Sequence, residues 1–214
     1  MTTYHDTYPA QVGTQVRDVP LIPVADDVAI ALLITSDHGV EFMAKAGAEL
    51  AELLEPLQPE VIATNATLGL PVAIEVARAL GLDDYLLLHK TPKIHLSDAF
   101  TEPLSSITTD GRQMLRLDRA RQSLVDGRRV VLVDDVVSTG GTIAAGVRLL
   151  RAAGAELVGI GALLIEGTAW KDTLGDDAAN VRARASARAR TLSGTRSIAR
   201  PRSNSASRST SGGV

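Results

Sequence analysis

The 214-residue chain contains no cysteine, which excludes a disulfide framework, thiolate chemistry and any Cys-ligated metal. Aromatic residues make up only 3% and tryptophan occurs once, against 45% hydrophobic residues in all. The core must therefore be built from Ala, Val, Leu and Ile, as α/β packing favours. The four histidines, His5, His38, His89 and His95, show no HExxH or other ligand spacing, so no zinc site is expected. No apolar run approaches the ~20 residues that span a bilayer, and the N-terminus lacks a basic region followed by an apolar one. A soluble, cytoplasmic protein with no membrane partner is the expectation. Common nucleotide motifs are missing too. There is no GxxxxGK[ST], and Gly159-Ile160-Gly161 lies in an apolar stretch with no third glycine in register.

Charge is unevenly spread. Residues 181–214 hold eight Arg and no acid, whereas 1–180 hold all 25 Asp and Glu and the other 14 Lys and Arg. A body at −11 beside a tail at +8 argues against a general nucleic-acid surface on the body. Phosphate affinity would have to come from a local cradle.

The length suits one domain with a sizeable core plus an appendage. Residues 1–24 read as an N-terminal extension, polar and irregular over 1–20, 25–180 as the domain, and 181–214 as a disordered tail. Val28–Ile34 reads as a strand and Glu41–Leu57 as a helix with Phe42, Ala46, Leu50, Leu53 and Leu54 at helical spacing. Val61–Ala63 reads as a buried strand, Pro71–Leu80 as a helix stopped by Gly81, and Tyr85–Leu88 as a third strand. Residues 91–128 are polar, with weak alternation at Gln113–Leu117, and predict a flexible excursion or β-ribbon. Val130 onward is a strand, Ala144–Ala153 a helix and Glu156–Ile165 a further strand. Such alternation predicts a parallel sheet with helices on both faces.

Between the last strand–helix pair stands the most informative stretch, VVLVDDVVSTGGT at 130–142. An apolar run reaches two adjacent carboxylates, Asp134 and Asp135, and then a turn of small and hydroxyl residues enters a helix. Free N–H groups at that helix start, with the dipole behind them, suit a phosphate. The carboxylates would repel a bare phosphate, so they suit a ligand that carries hydroxyls or Mg²⁺ beside it, such as a phosphorylated ribose. The blander reading is a buried strand with an acidic end and a helix cap.

All thirteen residues closely resemble the phosphoribosyl-pyrophosphate (PRPP) signature of type I phosphoribosyltransferases. Pattern and spacing over about residues 25–170 resemble the adenine and xanthine branch of that family. The resemblance implies a doubly wound, mostly parallel sheet with helices on both faces, a small hood and a flexible loop. It implies transfer of phosphoribose from PRPP to a purine base, giving a nucleoside monophosphate and pyrophosphate. Asp134 and Asp135 would be the catalytic pair on the ribose hydroxyls. Ser138, Thr139, Gly140, Gly141 and Thr142 would anchor the 5′-phosphate, while Lys90 and the loop containing Asn65 and Ala66 would contact the pyrophosphate. The base would lie on Val136, Val137 and Trp170, with Asp37 in the hood above it. Mg²⁺ would be bound through PRPP and water rather than directly by the protein, and a homodimer is implied.

This chain departs from the branch at three places. Loop 64–69 lacks the usual acidic residue and arginine, His89 replaces the usual arginine before Lys90, and the excursion at 96–117 lacks the acidic residue and Tyr-Gly of adenine-specific members. Ser105–Thr109 would lie near the tip of that excursion. A PRPP-binding regulator without catalysis and a transferase for a non-purine base therefore remain as alternatives. The Arg/Ser/Ala-rich tail has no periodicity. It reads as a basic arm for RNA or an acidic partner, or, preferably, as a shifted reading frame in a GC-rich gene.

Overall fold

In the computed structural model the described residues are 7–25, 28–104, 113–187 and 190–191. The strands and helices are β1 (Thr7–Val12), β2 (Gln15–Ala25), β3 (Val28–Ala31), α1 (Val40–Leu54), β4 (Val61–Asn65), α2 (Gly69–Ala79), β5 (Tyr85–Leu88), β6 (Ala99–Pro103), β7 (Met114–Asp118), β8 (Arg129–Val137), α3 (Gly141–Ala152), β9 (Glu156–Glu166), α4 (Ala169–Leu174), β10 (Val181–Ala183), β11 (Ser186–Ala187) and β12 (Arg190–Thr191).

The main sheet runs β10-β9-β8-β4-β5, and β11 continues along β9. All its pairings are parallel. Parallel strands covered on both faces need apolar side chains on both, which is why 130–133 is an unbroken valine–leucine run. Val131 and Val133 pack with Ile62 under α1 and α2, against Leu50, Leu54, Val72 and Val76. Val130 and Leu132 pack with Val61 and Ala63 on the other face, against Ile143, Val147 and Leu150 of α3. The expected doubly wound α/β architecture is what the chain adopts.

Two smaller sheets flank it. β6 and β7 form an antiparallel ribbon, which settles the character of the 91–128 excursion; its tip, including Ser105–Thr109, lies outside the described residues. Backbone bonds exchanged between His89 and Arg116 dock the ribbon at the end of β5. The other sheet, β1-β2-β3-β12, is the hood.

The hood corrects the reading of residues 1–20 as irregular within the 1–24 extension. Residues 7–25 form an antiparallel hairpin with a two-residue turn at Gly13-Thr14, and Ala10, Val12 and Val19 are buried in the same core as α1. Small Ala10 gives little alternation signal, and Pro9 and Pro20 lower the strand expectation. The tail reading needs a similar correction at its start. Val181–Ala183 adds a parallel strand beside Ile160–Ala162, and Arg184 reaches α1, donating to the Glu49 carbonyl and to Glu52 Oε2 at 2.5 Å. Three half-buried residues among arginines leave no periodic trace. Residues 192–214 lie outside the described residues.

The Glu49 carboxylate fastens the hairpin to α1, accepting from the Thr14 N–H at 2.9 Å and from the Thr14 hydroxyl. These bonds and the Arg184 charge hold its pKa below the usual carboxylate range, although burial acts the other way. Glu49→Ala removes both acceptors and is expected to cost about 1–2 kcal/mol. Thermal melts at pH 7 should show Tm falling by about 2–8 °C.

Candidate active site

β4 and β8 are neighbours at the centre of the sheet. From their carboxyl ends the chain departs in opposite directions, through α2 to β5 on one side and through α3 to β9 on the other. This is the switch point of a doubly wound sheet, where ligands of such folds bind.

Two helix N-termini meet there. Neither α2 nor α3 has a side-chain cap. The first-turn N–H groups of α3 stay available to an anion, whereas in α2 Leu70 donates to the Thr67 carbonyl at 3.1 Å and Pro71 has no N–H, which leaves Gly69. Gly140, before α3, has φ +82° and lies so close to Trp170 that a Cβ would come within 3.1 Å of the Trp170 Cα. Glycine is required on both counts. Gly69 opens α2 directly above the acidic strand end. A Cβ there would overlap Thr64 Oγ1 and approach Asp134 Oδ1 to 2.6 Å.

Asp134 is only 7% exposed. Its Oδ2 accepts from Asn65 Nδ2 at 2.9 Å, and its Oδ1 accepts from the Asp135 N–H at 3.1 Å. Burial, and then the like charge of Asp135, push its carboxyl up to about 8, while Asn65 and Lys90 oppose the shift. Burial raises Asp135 as well, and Lys90 again acts to lower it. The Lys90 ammonium is thus a positive charge that acts on both acids. Its backbone carbonyl is held by the Arg116 guanidinium at 3.1 Å, from the ribbon.

A third carboxylate completes the rim. Glu166, at the end of β9, is 9% exposed and raised by burial. It accepts from Ser138 and from the Ala31 N–H, with Asp135 adding a like charge. One side chain thus ties the hood to the 138–142 turn.

A sequence profile for the phosphoribosyl transferase domain matches residues 41–179. The chain belongs to the type I phosphoribosyltransferases. The adenine phosphoribosyltransferase of Gluconobacter oxydans is 30% identical over 164 residues, covering 76% of this chain and 87% of the relative. That of Streptomyces coelicolor is 33% identical over 153 residues, covering 71% and 72%. Among solved structures, the adenine phosphoribosyltransferase of Thermoanaerobacter pseudethanolicus shares the fold with a TM-score of 0.62 at 22% identity, over 79% of this chain and 95% of that one. The Trypanosoma brucei enzyme, solved with AMP, pyrophosphate and ribose-5-phosphate, does so with a TM-score of 0.61 at 24% identity, over 84% and 75%.

The fold of this phosphoribosyltransferase brings Asp134, Asp135, the 138–142 turn, Lys90 and Asn65 to one crevice. Several expected contacts are placed otherwise. Ala66 spends its N–H on the Leu88 carbonyl at 2.8 Å, and the Asn65 side chain is buried against Asp134. The donor left at this end of β4 is therefore the Gly69 N–H at the start of α2, not Asn65 or Ala66. Val136 is half-buried on the hood side, but Val137 is sealed in the core under α3. Adjacent residues of a strand point to opposite faces, so only Val136 offers a surface to a base. Trp170 is 6% exposed, and its indole N–H donates to the Gly167 carbonyl at 3.2 Å. It braces Gly140 from behind and is not a stacking surface. Asp37 is exposed in the short turn Thr35–Asp37, where Ser36 donates to it at 3.2 Å.

Sequence reading missed Glu166 and Arg116. The only trace of Glu166 was an acid directly after a ten-residue apolar strand. Arg116 gave none, because its role depends on the ribbon's docking.

The raised Asp134 pKa makes a testable sign. The folded state holds its proton up to about pH 8, and the unfolded chain releases it near 3.8. Stability from this group is thus fully present below pH 3.8 and lost as pH rises to about 8. Asp134→Asn should therefore melt at a higher temperature than wild type at pH 8, with the gap closing towards pH 4. Melting curves across that range measure it directly.

Proposed function

We propose that this phosphoribosyltransferase transfers the phosphoribosyl group of PRPP to a purine ring nitrogen, releasing pyrophosphate and forming a nucleoside monophosphate. The observation that carries the reading is the convergence of the acidic strand end with two uncapped helix starts at one crevice. The named activities of the relatives and the ligands of the Trypanosoma brucei neighbour agree with it.

In this reading the N–H groups and hydroxyls of 138–142 hold the 5′-phosphate and so orient the reacting carbon. Asp134 and Asp135 meet the ribose hydroxyls, and in their ionised forms offset positive charge that develops on the sugar. Lys90 and the start of α2 stabilise the leaving diphosphate. The base lies on Val136 under the hood, within reach of the turn that carries Asp37.

Among the described residues no group of three or more His, Asp or Glu could hold a metal ion. Asp134 and Asp135 are the residues that would face Mg²⁺ brought in with the substrate. The ion would supply charge neutralisation at the departing diphosphate. Two copies of the chain form the working unit in this proposal. No helix among the described residues is long and apolar enough to cross a membrane.

The test is pyrophosphate release from PRPP with adenine, hypoxanthine, guanine, xanthine and orotate in turn. Turnover is expected with a purine and not with orotate, and EDTA should abolish it. Asp135→Asn should lower kcat on the order of 10²-fold or more. Tight PRPP binding without turnover on any base would overturn transfer and favour a regulator.

A further inference from the structure

Asn65 is a buried amide with an unusual deficit. It is 1% exposed; its Nδ2 is committed to Asp134 Oδ2, and its Oδ1 has no hydrogen-bond partner. The Thr64 hydroxyl beside it is also buried without one. Unpaired buried acceptors are normally eliminated from a core, so their retention at the strand next to the acid pair asks for a reason. Its Oδ1 faces α3 at Gly146, where a Cβ would come within 3.4 Å of it.

An amide can offer either end. Turning its plane would present Oδ1 to Asp134 and Nδ2 to the Gly146 side. One buried group stays unpaired either way, so the two orientations differ mainly in what they offer the carboxyl. An ionised carboxylate only accepts, whereas a protonated one also has an O–H to donate.

We propose that Asn65 is a positioning residue that holds Asp134 in both of its charge states, donating from Nδ2 to the carboxylate and accepting at Oδ1 from the acid. The proposal rests on Asp134 being part of the reacting centre, as argued above. The groups facing that carboxyl are Asp135 on β8, the Lys90 ammonium beyond β5, the start of α2 at Gly69 and Asn65 itself. Asp135 and Lys90 bring charge to Asp134; Asn65 matches the proton with geometry. The sugar-binding acid could then gain or lose its proton as PRPP and the metal arrive, without leaving its place.

The experiment is an NMR titration of the Asp134 carboxyl carbon and the Asn65 side-chain amide in the free full-length protein. It needs no turnover, so it stands or falls separately from the assignment of substrate. In wild type the Asn65 amide signals should move with the same midpoint as Asp134. In Asn65→Leu, which keeps the volume but removes both bonds, the Asp134 midpoint should rise by about one pH unit, because the charge-assisted bond donated to the carboxylate is the stronger of the two. Asn65→Ser, which retains a small hydroxyl, should fall between the two and guards against a leucine variant that folds poorly. With a purine substrate established, the acidic limb of kcat/KM should shift with the Asp134 midpoint while KM for the base stays put. An Asp134 midpoint unchanged in both variants, or wild-type amide signals that stay fixed through the titration, would overturn the proposal.

Discussion

Everything in this protein is arranged around two carboxylates taken out of water at the end of its central strand. Isolated carboxylates in such a place would be expelled or neutralised. Here the Asn65 amide, the Lys90 ammonium and the positive ends of two helices surround them. In the proposed reading, a ligand's hydroxyls meet the acids and its phosphates meet the helix starts.

The scaffold serves this arrangement by rigidity. Apolar side chains on both faces of β4 and β8 clamp the two strand ends at fixed separation. Gly69 and Gly140 then let the two helices start within contact distance of the acids and of Trp170. Further supports come from the periphery. Arg116 pins the backbone of Lys90 from the ribbon, and Glu166 joins Ser138 to the hood strand. Chemistry at the crevice is thus coupled to two segments that are remote in sequence.

The parallel sheet, its helices and the phosphate turn were legible in the sequence because continuous apolar runs and a thirteen-residue signature are local patterns. Asp134, Asp135 and 138–142 were singled out for the same reason. The hood was not legible: Ala10 and two prolines blur an alternation that only burial against α1 reveals. Trp170 misled because composition says how scarce a residue is, not which way it faces. Val137 misled because adjacent strand residues were credited with one surface. The spent Ala66 N–H and the Asn65–Asp134 bond depend on β5 and β8 lying either side of β4, a pairing no local window contains.

The central claim is that one crevice holds the sugar by its hydroxyls and its 5′-phosphate at once. A crystal structure of the protein with ribose-5-phosphate, magnesium and pyrophosphate tests it most directly. The account predicts the 5′-phosphate on the N–H groups of residues 138–142, the ribose hydroxyls on Asp134 and Asp135, and pyrophosphate between Lys90 and the start of α2. A 5′-phosphate bound elsewhere, or a ribose turned away from the two acids, would contradict it.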